Sequence, residues 1–189
     1  MNTALRWTSA DLEAFPEDGK RYEIIDGELY MSRQPHYHHQ ATCLNLGYYL
    51  KAWNDQTHAG DVNFAPGIIF EDDEDVAPDL TWISRAQLKK ALAEDGKLHA
   101  APELVIEVLS PGKANEHRDR RAKLKLYSRR GVKEYWIVDW LFKKIEVYRR
   151  KGAALRLVAT LEPGDKLESP LLPGFSCPVA KVFEYASES

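Results

Sequence analysis

The run Leu104-Val105-Ile106-Glu107-Val108-Leu109 sets the strictest limit on how this chain can fold: five apolar residues are interrupted once, by a carboxylate. A continuous β-branched and leucine-rich stretch of this length reads as a buried strand. An unpaired buried carboxylate is among the most costly groups a core can hold. Glu107 must therefore be neutralised, paired with a cation or bound to a metal. The segments around it have to bring that partner within reach.

The segment that follows is the best-delimited helix in the chain. Over 115–131, Asn115 stands as an N-cap, acids come early, arginines come late, and Gly131 closes the C-terminus. A second apolar strand follows at 133–140. Strand 103–109, the helix and the strand at 134–139 make one right-handed βαβ unit if the two strands are parallel. That unit carries the end of the Glu107 strand to the start of the basic helix.

Elsewhere, the Thr8–Phe15 stretch opens as a short helix, and 21–31 reads as a hairpin turning at Asp26-Gly27. An amphipathic helix is predicted over 38–54, with Cys43, Leu46, Leu50 and Trp53 at three- and four-residue steps. Two strands at 61–71 and 76–84, joined by the acidic Asp72–Asp75 turn, precede a helix at 85–96. Strands at 143–150 and 154–161, then a turn-rich tail with a final helical turn, complete the chain. The order predicts an α/β (α+β) fold, a mixed β-sheet flanked by helices.

At 189 residues the chain suits one ordinary domain, and 26 basic against 29 acidic side chains give a net charge of −3. No global basic footprint for nucleic acid exists, so any such surface is local. Cys43 and Cys177 lie far apart without zinc-type or disulfide-type spacing, which favours reduced thiols. The first residues lack the apolar core of a signal peptide and no run suits a membrane span, so the expected location is cytoplasmic, with no membrane partner.

Asp79, after a proline in Ala-Pro-Asp-Leu-Thr-Trp-Ile, is the second carboxylate at the edge of an apolar strand. Glu107 follows 28 residues later (79 to 107), a separation that suits neighbouring strands. Two acids that converge there cannot both ionise without a cation between them, and a divalent ion meets that need. Oxygen donors, including the Val108 carbonyl, point to Mg2+ or Mn2+ rather than zinc. A nearby lysine would stabilise charge on a phosphate. Lys123 and Lys125 face opposite ways on the helix, at about 100° per residue, while Asp119, Lys123 and Tyr127 share a face.

Pro78-Asp79, then Glu107-Val-Leu-Ser-Pro111, then the stretch from Asp119 to Asp139 resemble the Uma-type restriction-endonuclease-like family, a branch of the PD-(D/E)XK nuclease superfamily. The 22–31 hairpin, His38-His39-Gln40 and Ser169–Phe175 match as well, so the likeness spans roughly 8 to 183. It implies a restriction-endonuclease-like domain over 1–189, with an N-terminal helix and hairpin at 8–35, a nuclease core at 36–140, and C-terminal strands and tail at 141–189. It also implies a Mg2+-dependent endonuclease, with Asp79 and Glu107 as metal ligands and Val108 beside them. The position two after Glu107 is Leu109, not the superfamily's lysine; alignment places that lysine at Lys123, with Lys125 as the fallback. Glu23 and His39 match recurrent positions and extend the site as a further acid and a polar contact. Nucleic acid, DNA first, is the expected partner, and cutting both strands favours a homodimer.

The same residues admit plainer readings. Asp79 and Glu107 could be acids paired with Arg118, Arg120 or Arg121, and Lys123 an i+4 partner of Asp119. His36–His39 reads as a polar loop rather than a zinc site, and Trp140, at the strand end, could be exposed. The alternative function is a non-catalytic nucleic-acid-binding or protein-interaction module that retains the fold.

Overall fold

The structure is a computed structural model that describes residues 5–16 and 18–185, the side chains at 113 and 114 excepted. Its elements are α1 (Ser9–Leu12), β1 (Arg21–Ile25), β2 (Glu28–Ser32), α2 (Tyr37–Thr57), β3 (Gly60–Phe64), β4 (Ile68–Glu71), β5 (Glu74–Val76), β6 (Leu80–Ser84), α3 (Arg85–Ala91) and β7 (Leu104–Val108). A long helix follows as α4 (Lys113–His117), a π-helical segment (Arg118–Lys123) and α5 (Leu124–Arg130). The chain ends with β8 (Glu134–Asp139), β9 (Lys144–Lys151), β10 (Ala154–Leu161), β11 (Lys166–Glu168), β12 (Ser176–Pro178) and α6 (Val179–Val182). No helix among the described residues is long and apolar enough to cross a membrane.

A six-stranded mixed sheet runs in the order β10-β9-β8-β7-β6-β3, and its one parallel pair is β7 with β8, joined by the long helix. A smaller antiparallel sheet runs β2-β1-β5-β4. The predicted α/β class, a mixed sheet flanked by helices, is the observed one.

Side-chain alternation along β7 sorts its residues between two cores. Leu104, Ile106 and Val108 join Cys43, Leu46, Leu50 and Trp53 of α2. Val105 and Leu109 join Leu126 and Tyr127 of α5, Ile137 of β8, and Ile25, Ile68 and Val76 of the small sheet. Glu107 has the parity of Val105, so it points at the long helix. An acid sits there because this is the face where Lys123 can reach it.

The predicted strands at 61–71 and 76–84 are each broken in two. Ala65 (φ 47°) and Pro66 interrupt the first, and Pro78 the second, since proline cannot donate to a ladder. β3 pairs with β6 in the large sheet, while β4 pairs with β5 in the small one. The chain thus crosses between sheets twice, side by side, with Ala65 N–H donating to the Asp79 carbonyl at 3.1 Å. Asp79 is left at the seam.

Other boundaries differ from the pattern for local reasons. α2 starts at Tyr37 because His36 Nδ1 accepts the His38 N–H at 3.1 Å, so His36–His39 opens a helix and is not a loop. α3 stops at Ala91, where Leu92 turns extended to bridge Leu98. The long helix begins at Lys113, so Asn115 is not its N-cap; its amide instead donates to the Pro111 carbonyl at 2.9 Å. Gly131 does close the helix, at φ 90°. Trp140 is buried, 7 % exposed, with its indole N–H on the Leu109 carbonyl at 2.9 Å and its ring stacked on His36.

Candidate active site at the seam of two sheets

The antiparallel register of β6 and β7 pairs Leu80 with Ile106, so Asp79, the residue before β6, comes beside the Glu107–Val108 end of β7. Asp79 Oδ2 accepts the Val108 N–H at 2.9 Å, Oδ1 lies 3.3 Å from Arg21, and Oδ2 is 3.3 Å from His39 Nε2. Burial alone would raise this carboxyl. The hydrogen bond and charge of His39, the Val108 amide and Arg21 outweigh it and hold Asp79 at about 2. His39 shifts the other way: burial opposes its charge, but the bond to Asp79 keeps its pKa above the ordinary value.

Glu107 meets a cation. Its Oε1 accepts from Lys123 Nζ at 2.8 Å and from the Tyr127 hydroxyl at 3.0 Å. The same Nζ stands 2.8 Å from Glu23 Oε1, which also accepts the Ala77 N–H at 3.0 Å. Lys123 is 1 % exposed, with its ammonium between Glu23 and Glu107. Burial is the largest influence on Glu107 and raises it to about 8; Lys123 opposes the rise, and Asp79, Asp119 and Glu23 add to it. Glu23 is lowered on balance, because Lys123 and Arg118 overcome its burial. Glu23, Asp79, Glu107 and Asp119 stand among Arg21, Arg118, Lys123 and His39, and the repulsion between the acids adds to the burial that keeps a proton on Glu107.

The π-helical segment provides the second wall. A π turn is wider than an α turn and is frequent at functional sites. Here Arg118, Asp119 and Lys123 are all buried on one side. Arg118 Nε donates to Asp119 Oδ1 at 2.8 Å and its Nη1 to Ser32 Oγ at 2.7 Å. Arg118 therefore serves Asp119 and Glu23, and Arg120 serves Asp139 and Glu146, so neither neutralises Asp79 or Glu107.

These groups open on a pocket of about 160 Å3, lined by Glu23, Asp79, Glu107, Lys123, His39 and Arg33 among others. Arg33 is exposed, and among the described residues no carboxylate pairs with it. Arg21 and Arg118, which also line the pocket, are committed to acids. Lys125, the fallback lysine, is 71 % exposed beside Asp26 on the far side of the helix, away from the acids. Glu23, His39, Asp79, Glu107, Val108 and Lys123 are brought together. Sequence reasoning missed Arg21, Arg33 and Cys43, although Arg21 stands two residues before Glu23 on β1 and Cys43 four after His39 on α2.

The donor set fits a hard divalent cation. Asp79 and Glu107 border the same pocket and repel one another, and Glu107 Oε2 has no hydrogen-bond partner among the described residues. A second grouping, His39, Cys43 and Asp79, brings one ligand atom each within 4.8 Å of the others.

No curated protein matches this chain. A crystal structure described as that of "a putative nuclease belonging to DUF820 from Anabaena variabilis ATCC 29413" shares the fold, with a TM-score of 0.73 and 17% identity over 93% of this chain and 97% of that one. The model of the Uma2 family, described as "Putative restriction endonuclease", matches residues 9–180. With nearly its whole length matched, the chain belongs to the Uma2 family.

Proposed function

We propose that the protein is a metal-dependent endonuclease that hydrolyses phosphodiester bonds of nucleic acid, with DNA as substrate and Mg2+, or Mn2+ in its place, as the ion. The observation that carries this reading is that Asp79 and Glu107 line one pocket, with Lys123 Nζ bonded to Glu107 at 2.8 Å. Asp79, Glu107 and the Val108 carbonyl would hold the ion, which when bound supplies Lewis-acid polarisation of a phosphoryl oxygen and an acidified water.

The chain's own groups do the rest. Lys123, kept charged between Glu23 and Glu107, stands as a fixed positive charge beside the place where an anionic phosphorane would form. Tyr127 and Glu23 hold Lys123 and Glu107 in register. Arg33, uncommitted at the rim, offers its guanidinium to a neighbouring phosphate without disturbing the inner ion pairs. A two-fold homodimer would present two such pockets to opposite strands.

One observation favours a second reading. Lys123 is already held by Glu23 and Glu107 at 2.8 Å each, so these groups could serve as a buried structural network in a non-catalytic binding module. Supercoiled plasmid incubated with Mg2+, Mn2+ or EDTA separates the two. Metal-dependent nicking that disappears in Asp79→Asn and Glu107→Gln supports the nuclease. Unchanged plasmid, together with a melting temperature indifferent to millimolar Mg2+ or Mn2+, leaves the module.

A further inference from the structure

The grouping of His39, Cys43 and Asp79 has a chemistry that the all-oxygen set lacks. His39 and Cys43 stand four residues apart on α2, hence on one face of the helix, and the seam between the sheets delivers Asp79 to that face. Their ligand atoms, one from each residue, all lie within 4.8 Å of one another; His39 Nε2 stands 3.3 Å from Asp79 Oδ2, while the contact of Cys43 Sγ at 3.7 Å is to the other ring nitrogen, Nδ1. In a tetrahedral site with bonds of about 2.0–2.1 Å to nitrogen and oxygen, ligand atoms stand about 3.4 Å apart. The imidazole–carboxylate edge already has that length.

The donor types differ from those around Glu107 in softness. A thiolate and an imidazole suit zinc-class ions, and a thiolate is a poor ligand for Mg2+. One thiolate and one carboxylate would also balance a divalent charge, so the filled site is neutral in a buried setting. On binding, Cys43 gives its thiol proton and His39 its Nε2 proton to solvent, and no redox change occurs. His39 and Asp79 both line the open pocket, which gives the ion a route in and leaves a fourth position facing water.

We propose that His39, Cys43 and Asp79 form a site for a borderline-soft divalent ion of the zinc class, sharing Asp79 with the hard-cation set so that each ion opposes the other. The site itself stands on the geometry alone; only its meaning as an inhibitory switch rests on the nuclease reading. A zinc-class ion on Asp79 withdraws one carboxylate from the Mg2+ ligands, so scarce, tightly held zinc would antagonise abundant, weakly held Mg2+.

The test is a titration of the metal-free protein with Co2+, without nucleic acid. The expected result is one equivalent bound, with visible bands of tetrahedral cobalt and a near-ultraviolet thiolate-to-cobalt charge-transfer band. Zn2+ abolishes both, and the apparent cobalt affinity falls in proportion as Mg2+ is raised beyond its own dissociation constant. Cys43→Ser loses the charge-transfer band and Cys177→Ser keeps it. X-ray absorption on the wild-type cobalt form, which needs no variant, shows one sulfur ligand. Absence of the band, its survival in Cys43→Ser, or a cobalt shell without sulfur overturns the site; cobalt affinity indifferent to Mg2+ overturns the sharing of Asp79. A failed plasmid assay leaves all of these outcomes readable, and a failed cobalt titration leaves the nuclease reading standing.

Discussion

Replacing Lys123 by methionine keeps the length and much of the volume of the side chain while removing its charge. Nζ stands 2.8 Å from both Glu23 Oε1 and Glu107 Oε1. Glu107 keeps its proton at pH 7, so the ionic contact is that with Glu23, worth about 6 kcal/mol at an effective dielectric of 20 before desolvation. The lysine recovers several kcal/mol of hydration on leaving the interior. What remains is the cost of the buried Glu23 carboxylate without its cation, about 3–5 kcal/mol for a broken buried pair. Urea unfolding at about pH 7, in EDTA, should therefore show Lys123→Met destabilised by that amount with an unchanged m-value. The loss should shrink at low pH, where Glu23 takes up a proton and needs no partner. Adding Glu23→Gln to the variant should restore part of the stability, because the orphaned charge is gone. A loss below about 1 kcal/mol, independent of pH, would refute the reasoning that Lys123 exists to hold these acids.

Glu107 has its pKa raised from 4.5 to about 8, so it carries a proton in the folded protein that the unfolded chain has lost between those values. Its contribution is complete below 4.5 and is lost as pH rises through 8: metal-free stability should decline across that window, and the decline should flatten in Glu107→Gln, with an equal slope in both proteins counting against it. Arg33→Ala should leave the melting temperature unchanged but weaken nucleic-acid binding and lower the salt slope by about one, as one lost phosphate contact requires; an unaltered slope would remove Arg33 from the interface. In Gly60→Ala, the new Cβ would lie 2.1 Å from the Ile83 carbonyl oxygen on the paired strand, so β3 must shift; a cost of about 1–3 kcal/mol is expected in denaturant titration, and a neutral result would contradict that close approach.

Local pattern carries far in this chain. The β7 run, the helix ending at Gly131 and the β8 run were legible because apolar periodicity and a left-handed C-cap are properties of neighbouring residues. So was the need of Asp79 and Glu107 for compensation, since acids in apolar strands are tolerated only with partners, although each finds its own: His39 and Arg21 for Asp79, Lys123 and Tyr127 for Glu107. The hairpin at Asp26-Gly27 was equally plain, with both residues at positive φ. The prolines at 66 and 78 were visible too, but not their consequence. A strand break can end a strand or send it into another sheet, and only the partners available in three dimensions choose.

The sequence by itself determined the elements, the apolar faces and the presence of an acid that had to be compensated. Tertiary structure alone decided how it is compensated. Lys123 rather than Lys125 meets Glu107 because the π-helical turn and the parity of β7 bring that face of the helix onto the strand. Glu23 joins them because β1, some eighty residues upstream, lies across the seam (23 against 107). Cys43 reaches Asp79 because α2 packs on the opposite core. Such meetings depend on side-chain directions summed over distant segments, and spacing along one chain does not encode them.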